Sequence, residues 1–289
     1  MTSDPALVID TAVGPANVMH RLALGVECLD AVTGRLVRTS VLTGREMDPI
    51  RLPRDHDPEW PCFSLPGKGT GRSYLRFDHT IPVRTPLLLR LVDPSRRFVP
   101  RRLELPLWTL NEVLAAEAAP PVVPAASRML RPWFWPGSAA LLPAGMTVIR
   151  GTIQTGTAPV RWARLTAVRH GDVAVGHGHA DERGEFTVLI TDSGSLPPPA
   201  PGTIDIDLQV MAPDPATAPR VDPLDRYADL VVEPVTRPSN PPQPAELDNP
   251  VLRGTATPAG YRPNTAHVPM LTVPVGAELS LTDPIPFSA

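Results

Sequence analysis

The sequence predicts an all-β chain built as two sandwich-type domains, and three observations carry that prediction. Prolines number 39 and glycines 20 in 289 residues, about a fifth of the chain, a density of breakers that long helices and coiled coils do not absorb. Apolar and polar residues alternate with period two in several short runs. In the second half those runs recur at the even spacing of a sandwich.

In chain order, residues 1–18 read as an arm without periodic pattern, and residues 19–118 as a first β domain. Leu22, Leu24, Val26 and Cys28 alternate with Ala23, Gly25, Glu27 and Leu29, the signature of a half-buried strand. Asp30 to Gly34 supplies a turn and Leu36 to Leu42 a second strand, so the pair predicts a hairpin. Residues 43–70 hold Pro49, Pro53, Pro58, Pro61 and Pro66 and read as a long wrapping loop anchored by Trp60 or Phe63. Strands follow at 72–78, 85–92 and 101–107. Residues 109–118 form the one short helix, capped by Thr109 or Asn111, with Leu110, Val113 and Leu114 on one face.

A Pro-rich linker occupies 119–144, and a second β domain spans 145–235. Its strands are expected at 146–154, 159–169, 173–180, 185–191 and 203–211, with 230–232 as a last addition. The clearest places Ile204, Ile206, Leu208 and Val210 inward and Asp205, Asp207 and Gln209 outward. Residues 236–289 are a Pro-rich tail, expected to lie along either domain or on a neighbouring subunit.

The 27 basic and 30 acidic residues leave a formal charge of −3, no global field to hold nucleic acid or an anionic membrane, and neither is an expected partner. Lys68 is the only lysine; the arginine excess fits a GC-rich genome as readily as selection for bidentate contacts. No run approaches membrane-spanning length. Met1 to Gly14 shows neither a basic start nor an uninterrupted apolar core, so the expected location is the cytoplasm, with Cys28 and Cys62 as reduced, partly buried thiols.

Chemical motifs are thin. His177 and His179 sit two apart on a strand, about 7 Å from each other, a spacing that chelates a metal once a third ligand arrives. Asp205 and Asp207 are the nearest candidates, but outward alternation accounts for them, and His170 adds little. His56 and Glu59 have the His-x-x-Glu spacing of zinc carboxypeptidases but fall in a proline-broken loop. Gly67 to Ser73 has the composition of a phosphate loop without its spacing or following helix. No nucleophile elbow, zincin helix or Cys-x-x-Cys pair occurs. No catalytic residue, metal ligand or cofactor site is therefore expected, and the chain reads as a non-enzyme.

The remaining candidates are interfacial. Trp133, Phe134 and Trp135 on the linker are plugs between domains or anchors for another protein, and the rarity of exposed apolar patches favours plugs. Arg96, Arg97, Arg101 and Arg102 cluster beside a turn and suit acidic surfaces or local ion pairs.

Val148-Ile149-Arg150-Gly151-Thr152-Ile153, Pro159-Val160-Arg161-Trp162-Ala163-Arg164-Leu165 and Ala180-Asp181-Glu182-Arg183-Gly184-Glu185-Phe186 resemble the carboxypeptidase regulatory-like family, a transthyretin-like (prealbumin-like) β-sandwich. The last segment follows its Thr-Asp-x-x-Gly-x-Phe hairpin, with Ala180 in place of Thr. There Asp181 folds back on the turn amides, Gly184 takes a left-handed position and Phe186 returns to the core. The segments Leu24 to Arg35 and Leu89 to Leu103 are similar to another such sandwich. Two-domain chains of this sort resemble accessory proteins of phage-tail-like contractile injection systems. The resemblance implies a structural role, contacts with other particle proteins or copies of itself through sandwiches, arms, the Trp133–Trp135 segment and the Arg96–Arg102 turn, and no peptidase activity. The competing expectation is a monomeric module that binds a carbohydrate or peptide.

Overall fold

The computed structural model describes residues 7–10, 17–20, 22–37, 42–45, 72–76, 86–109, 112–113, 125–170, 172–191, 202–214, 225–237 and 248–289. The architecture is all-β. Trp60, Phe63, His56, Glu59, Cys62, Asn111, Leu110, Leu114 and the Gly67–Gly71 run lie outside the described residues.

The first half contains β1 (Leu7–Asp10), β2 (Asn17–His20), β3 (Leu22–Glu27), β4 (Leu29–Asp30), β5 (Leu42–Arg45), β6 (Arg72–Arg76), β7 (Leu87–Val92), β8 (Arg101–Leu105), β9 (Met129–Leu130) and β10 (Trp133–Phe134). The second half contains β11 (Thr147–Thr155), β12 (Ala158–Pro159), β13 (Arg164–Arg169), β14 (Val173–Ala180), β15 (Glu185–Ile190), β16 (Thr203–Pro213), β17 (Val232–Pro234), β18 (Tyr261–Pro263), β19 (Leu271–Pro274), β20 (Glu278–Ser280) and β21 (Ile285–Pro286). A single-turn helix, α1 (Pro250–Arg253), precedes β18.

The predicted turn forms, with the Gly34 amide donating to the Asp30 carbonyl, Val37 N–H to Cys28, and Asp30 Oδ1 accepting the Val32 amide. The expected pairing of two long strands does not follow: among the described residues it shrinks to a Leu29–Leu36 bridge, and β3 takes β6 and β9 as its neighbours. Two sheets, β6-β3-β9 and β5-β7-β8-β17, bury a common core of Leu24, Val26, Cys28, Leu89, Leu91, Leu103 and Phe134. Period-two alternation explains it, since one face of each strand is apolar. Residues 112–113 are helical, and Thr109 and Glu112 exchange capping bonds across the first turn.

The second half is one curled sheet with the central order β11-β15-β14-β13-β16. Its concave face buries Ile149, Leu165, Phe186, Val188, Ile206 and Leu208, and the alternation expected along 203–211 holds residue by residue. The Asp181 hairpin forms as expected: Oδ1 accepts the Arg183 and Glu185 amides at 2.8 and 3.1 Å, Gly184 has φ 71°, and Phe186 is buried.

The arm, the linker and the last strand differ from expectation, and the tail takes one of its two expected placements. Residues 7–10 and 17–20 pair as a hairpin, and linker residues 129–130 and 133–134 pair with β3 and β4. The last strand of the second half, β17, pairs in parallel with β8 of the first half and not with the large sheet. The tail lies on its own chain: β18 and β19 pair with the free edge of β16, while β20 and β21 pair with the free edge of β11. It therefore runs from one edge of the curled sheet to the other, satisfying backbone groups that each edge otherwise presents to other chains. Val273, Ile285 and Phe287 fix it to the core.

Candidate functional site

Among the described residues, buried polar contacts gather where the two halves meet, along residues 225–235 and 249–254. Asp225, Asp229 and Glu233 recur every fourth residue, and all three are buried. Each meets an arginine. Arg90 of β7 reaches Asp225 at 2.6 Å, Arg161 grips both oxygens of Asp229 at 2.5 and 2.7 Å, and Arg101 of β8 grips both oxygens of Glu233 at 3.1 and 2.7 Å. Arg164 of β13 adds a contact to Glu233 at 2.9 Å. Burial by itself would raise the Glu233 carboxyl; Arg101 and then Arg164 outweigh it and hold the group below its usual value.

Arg101 is wholly buried, and its five N–H groups all find acceptors. Beyond Glu233, Nη1 donates to the carbonyls of Trp133 and Leu252 at 2.9 and 2.7 Å, and Nη2 donates to that of Val251. No lysine could match this fork.

Two of those acceptors belong to α1. Its N-terminus is capped by Asn249, whose Oδ1 accepts from Val251 and Leu252, and Pro250 stands at its first position. The helix ends at Gly254 with φ 71°. Carbonyls at a helix C-terminus lack partners inside the helix. Here four consecutive ones accept from side chains of the surrounding chain: Val251, which also accepts the Gly254 amide, and Leu252 from Arg101, Arg253 from Trp135 Nε1 at 2.8 Å, and Gly254 from His179 Nε2 at 2.7 Å. Residues 249–256 thus form a strap across the junction.

His177 and His179 face the strap because β14 carries a bulge. Its register with β13 slips between Ala167 and Val168, leaving Val175 as the extra residue. Gly176, Gly178 and Ala180 then turn to the core, while the imidazoles pack beside Trp135 at 5.9 and 5.6 Å. Both rings have pKa values lowered by burial, His179 strongly so. With Nε2 of His179 spent on Gly254, the pair forms no chelate; among the described residues no three His, Cys, Asp or Glu side chains gather as a metal site. Asp205 and Asp207 are exposed on β16, where Asp205 accepts from Thr272.

Of the interfacial candidates, the structure places Phe134, Trp135, Arg101 and Arg102 inside the chain. Phe134 meets Phe98 edge-on at 5.7 Å, and Trp135 sits among Ala31, Val148 and Leu189, joining residues of both halves. Arg102 donates to the Leu230 carbonyl. Trp133 is half-buried under the Arg253 guanidinium, 4.6 Å from its ring. Arg96, also half-buried, pairs with Glu182 at 3.2 Å across the junction, and Arg97 is exposed. Trp162 takes φ 62°, a conformation costly for a bulky residue. It is held by Tyr227 against its ring and by the Tyr261 hydroxyl donating to its carbonyl at 2.7 Å.

Residue types alone did not mark this cluster. The four-residue spacing of Asp225, Asp229 and Glu233 in an arginine-rich chain is one signal for it. The Asn249-Pro250 to Gly254 pattern, a cap, a first-turn proline and a terminal glycine, is another. No helix among the described residues is long and apolar enough to cross a membrane. The chain matches no family model, no curated protein and no solved structure.

Proposed function

We propose that this chain is a non-enzymatic structural component of a phage-tail-like contractile injection particle, made of two transthyretin-like sandwiches fastened into one rigid piece. The observation that carries the reading is the junction: its buried arginines and acids serve to hold two β units together, with side chains already consumed by one another. An active site needs groups free to meet a substrate. A subunit that transmits force needs halves that do not hinge, and three arginine contacts to buried carboxylates support that.

Contacts with neighbours are assigned to surfaces the junction does not use. The β1-β2 hairpin pairs with no other strand among the described residues, and its outer edges suit strand addition to a neighbouring subunit. Arg97, exposed at the turn before β8, supplies a second point of contact, and Trp133 serves the junction. The remaining interfacial candidates, Phe134, Trp135, Arg101 and Arg102, act from within by fixing the shape of that surface.

The test is recovery of the tagged chain from its native cells, followed by mass spectrometry and negative-stain microscopy. Co-purification of sheath, tube or baseplate proteins with tail-like particles on the grid is the expected result. A clean monomer with neither overturns the reading, and binding of that monomer on a glycan array would replace it with the carbohydrate-binding alternative.

A further inference from the structure

Among the side chains that hold the strap, the His179 imidazole is the one a proton can switch near physiological pH. Its Nε2 must carry the hydrogen donated to the Gly254 carbonyl, which leaves Nδ1 bare in the neutral ring. That Nδ1 is buried and has no hydrogen-bond partner. We propose that residues 249–256 are an acid-released latch, held by His179 while its ring is neutral and let go when Nδ1 takes a proton.

The surroundings make the closed, protonated state unfavourable from every side. Arg101 on β8 and Arg164 on β13 both bear on the ring with positive charge, and His177 on the same strand adds to them when charged. The strap itself brings Arg253, stacked over Trp133 and paired with Asp248, so its charge is largely balanced. The carboxylate that this network holds, Glu233 on β17, has its oxygens engaged by Arg101 and Arg164. A proton on Nδ1 therefore adds a cation with no acceptor beside two guanidiniums, a cost that opening to water relieves. Burial first, then Arg164 and Arg101, lower the pKa of the closed ring well below the usual value, and the Gly254 bond only partly opposes them.

The sign follows by linkage. The open strap binds the proton more tightly than the closed one, so closure is complete at neutral pH and weakens as pH falls below the ordinary histidine value of about 6.5. Release takes the Val251, Leu252, Arg253 and Gly254 carbonyls from their side-chain donors and leaves Trp135 Nε1 at the seam without its acceptor.

The test is amide hydrogen exchange of the full chain from about pH 7.5 to about pH 4.5, corrected for intrinsic exchange, followed in peptides covering 249–256. The wild type is expected to lose protection by roughly tenfold or more over that span, while His179→Gln, which keeps an N–H for Gly254 and takes no proton, stays flat. Equal loss in both proteins overturns the proposal, because another group is then titrating; so does protection that is constant in both. If circular dichroism shows the variant unfolded at neutral pH, the ring nitrogen shifts of wild-type His179 decide: titration in step with release supports the latch, and a ring neutral after release overturns it.

Discussion

Arg101 and Glu233, 132 residues apart in sequence, meet through two parallel hydrogen bonds in a region closed to water. The pair joins β8 to β17 at the point where Arg164 arrives from the large sheet. Buried ion pairs often fail to recover their desolvation cost, so the sharper statement concerns what breaking one does. Arg101 also satisfies three backbone carbonyls, and its removal leaves a carboxylate and those carbonyls without their donors.

Arg101→Met is therefore expected to destabilise the chain by about 3–5 kcal/mol, the range for removing one partner of a buried pair. Urea denaturation followed by tryptophan fluorescence measures it. A loss below about 1 kcal/mol would show that water or Arg164 replaces the fork.

Gly254→Ala tests the strap without touching charge. The added Cβ would lie 2.8 Å from Trp135 Nε1 and 2.9 Å from His179 Cε1, on a backbone with φ 71°. Gly34 shares the positive φ but has open space around it. Gly34→Ala should cost about 1 kcal/mol and Gly254→Ala clearly more. Equal thermal shifts for the two would refute the close packing.

Deleting residues 260–289 removes β18 to β21 and uncovers the edges of β11 and β16 together. Exposed edges recruit other chains. Light scattering after size exclusion should show concentration-dependent association of the truncated chain, and restoring the segment as a separate peptide should reverse it. A truncated chain that stays monomeric at every concentration would contradict the edge-covering role.

Cys28 is buried, and burial pushes its thiol up to about 12. Thiolate is the reactive form. In a Cys62→Ser background, labelling by a thiol reagent at pH 8 should be slow in the folded protein and fast in denaturant. Equal rates would mean that the hairpin leaves this thiol open. Linkage gives the sign for stability: the folded state holds the proton more tightly, so the contribution of Cys28 falls as pH rises above its ordinary value of about 8.5.

The all-β architecture was legible in the sequence because its cause is local. Alternation along Leu24 to Cys28 and Ile204 to Val210 dictates which face is buried whatever strand lies beside it, and Asp181 with Gly184 shapes its turn through bonds within five residues. The junction is non-local. Asp225, Asp229 and Glu233 look like ordinary solvated acids until the chain brings Arg90, Arg161, Arg164 and Arg101 to them.

His177 and His179 show how tertiary structure overrides pattern: the bulge at Val175 turns them away from the core, and a carbonyl 75 residues downstream takes up His179. The tail was open between its own chain and a neighbour, because apolar residues at every second position specify a strand and not which edge it joins. Sequence by itself determined strands, turns and the scarcity of helix, since backbone sterics and period-two burial act within a few residues. Only the tertiary structure decided which charges are buried, which carbonyls are capped and where the tail lies, because those depend on partners that chain folding alone brings into contact.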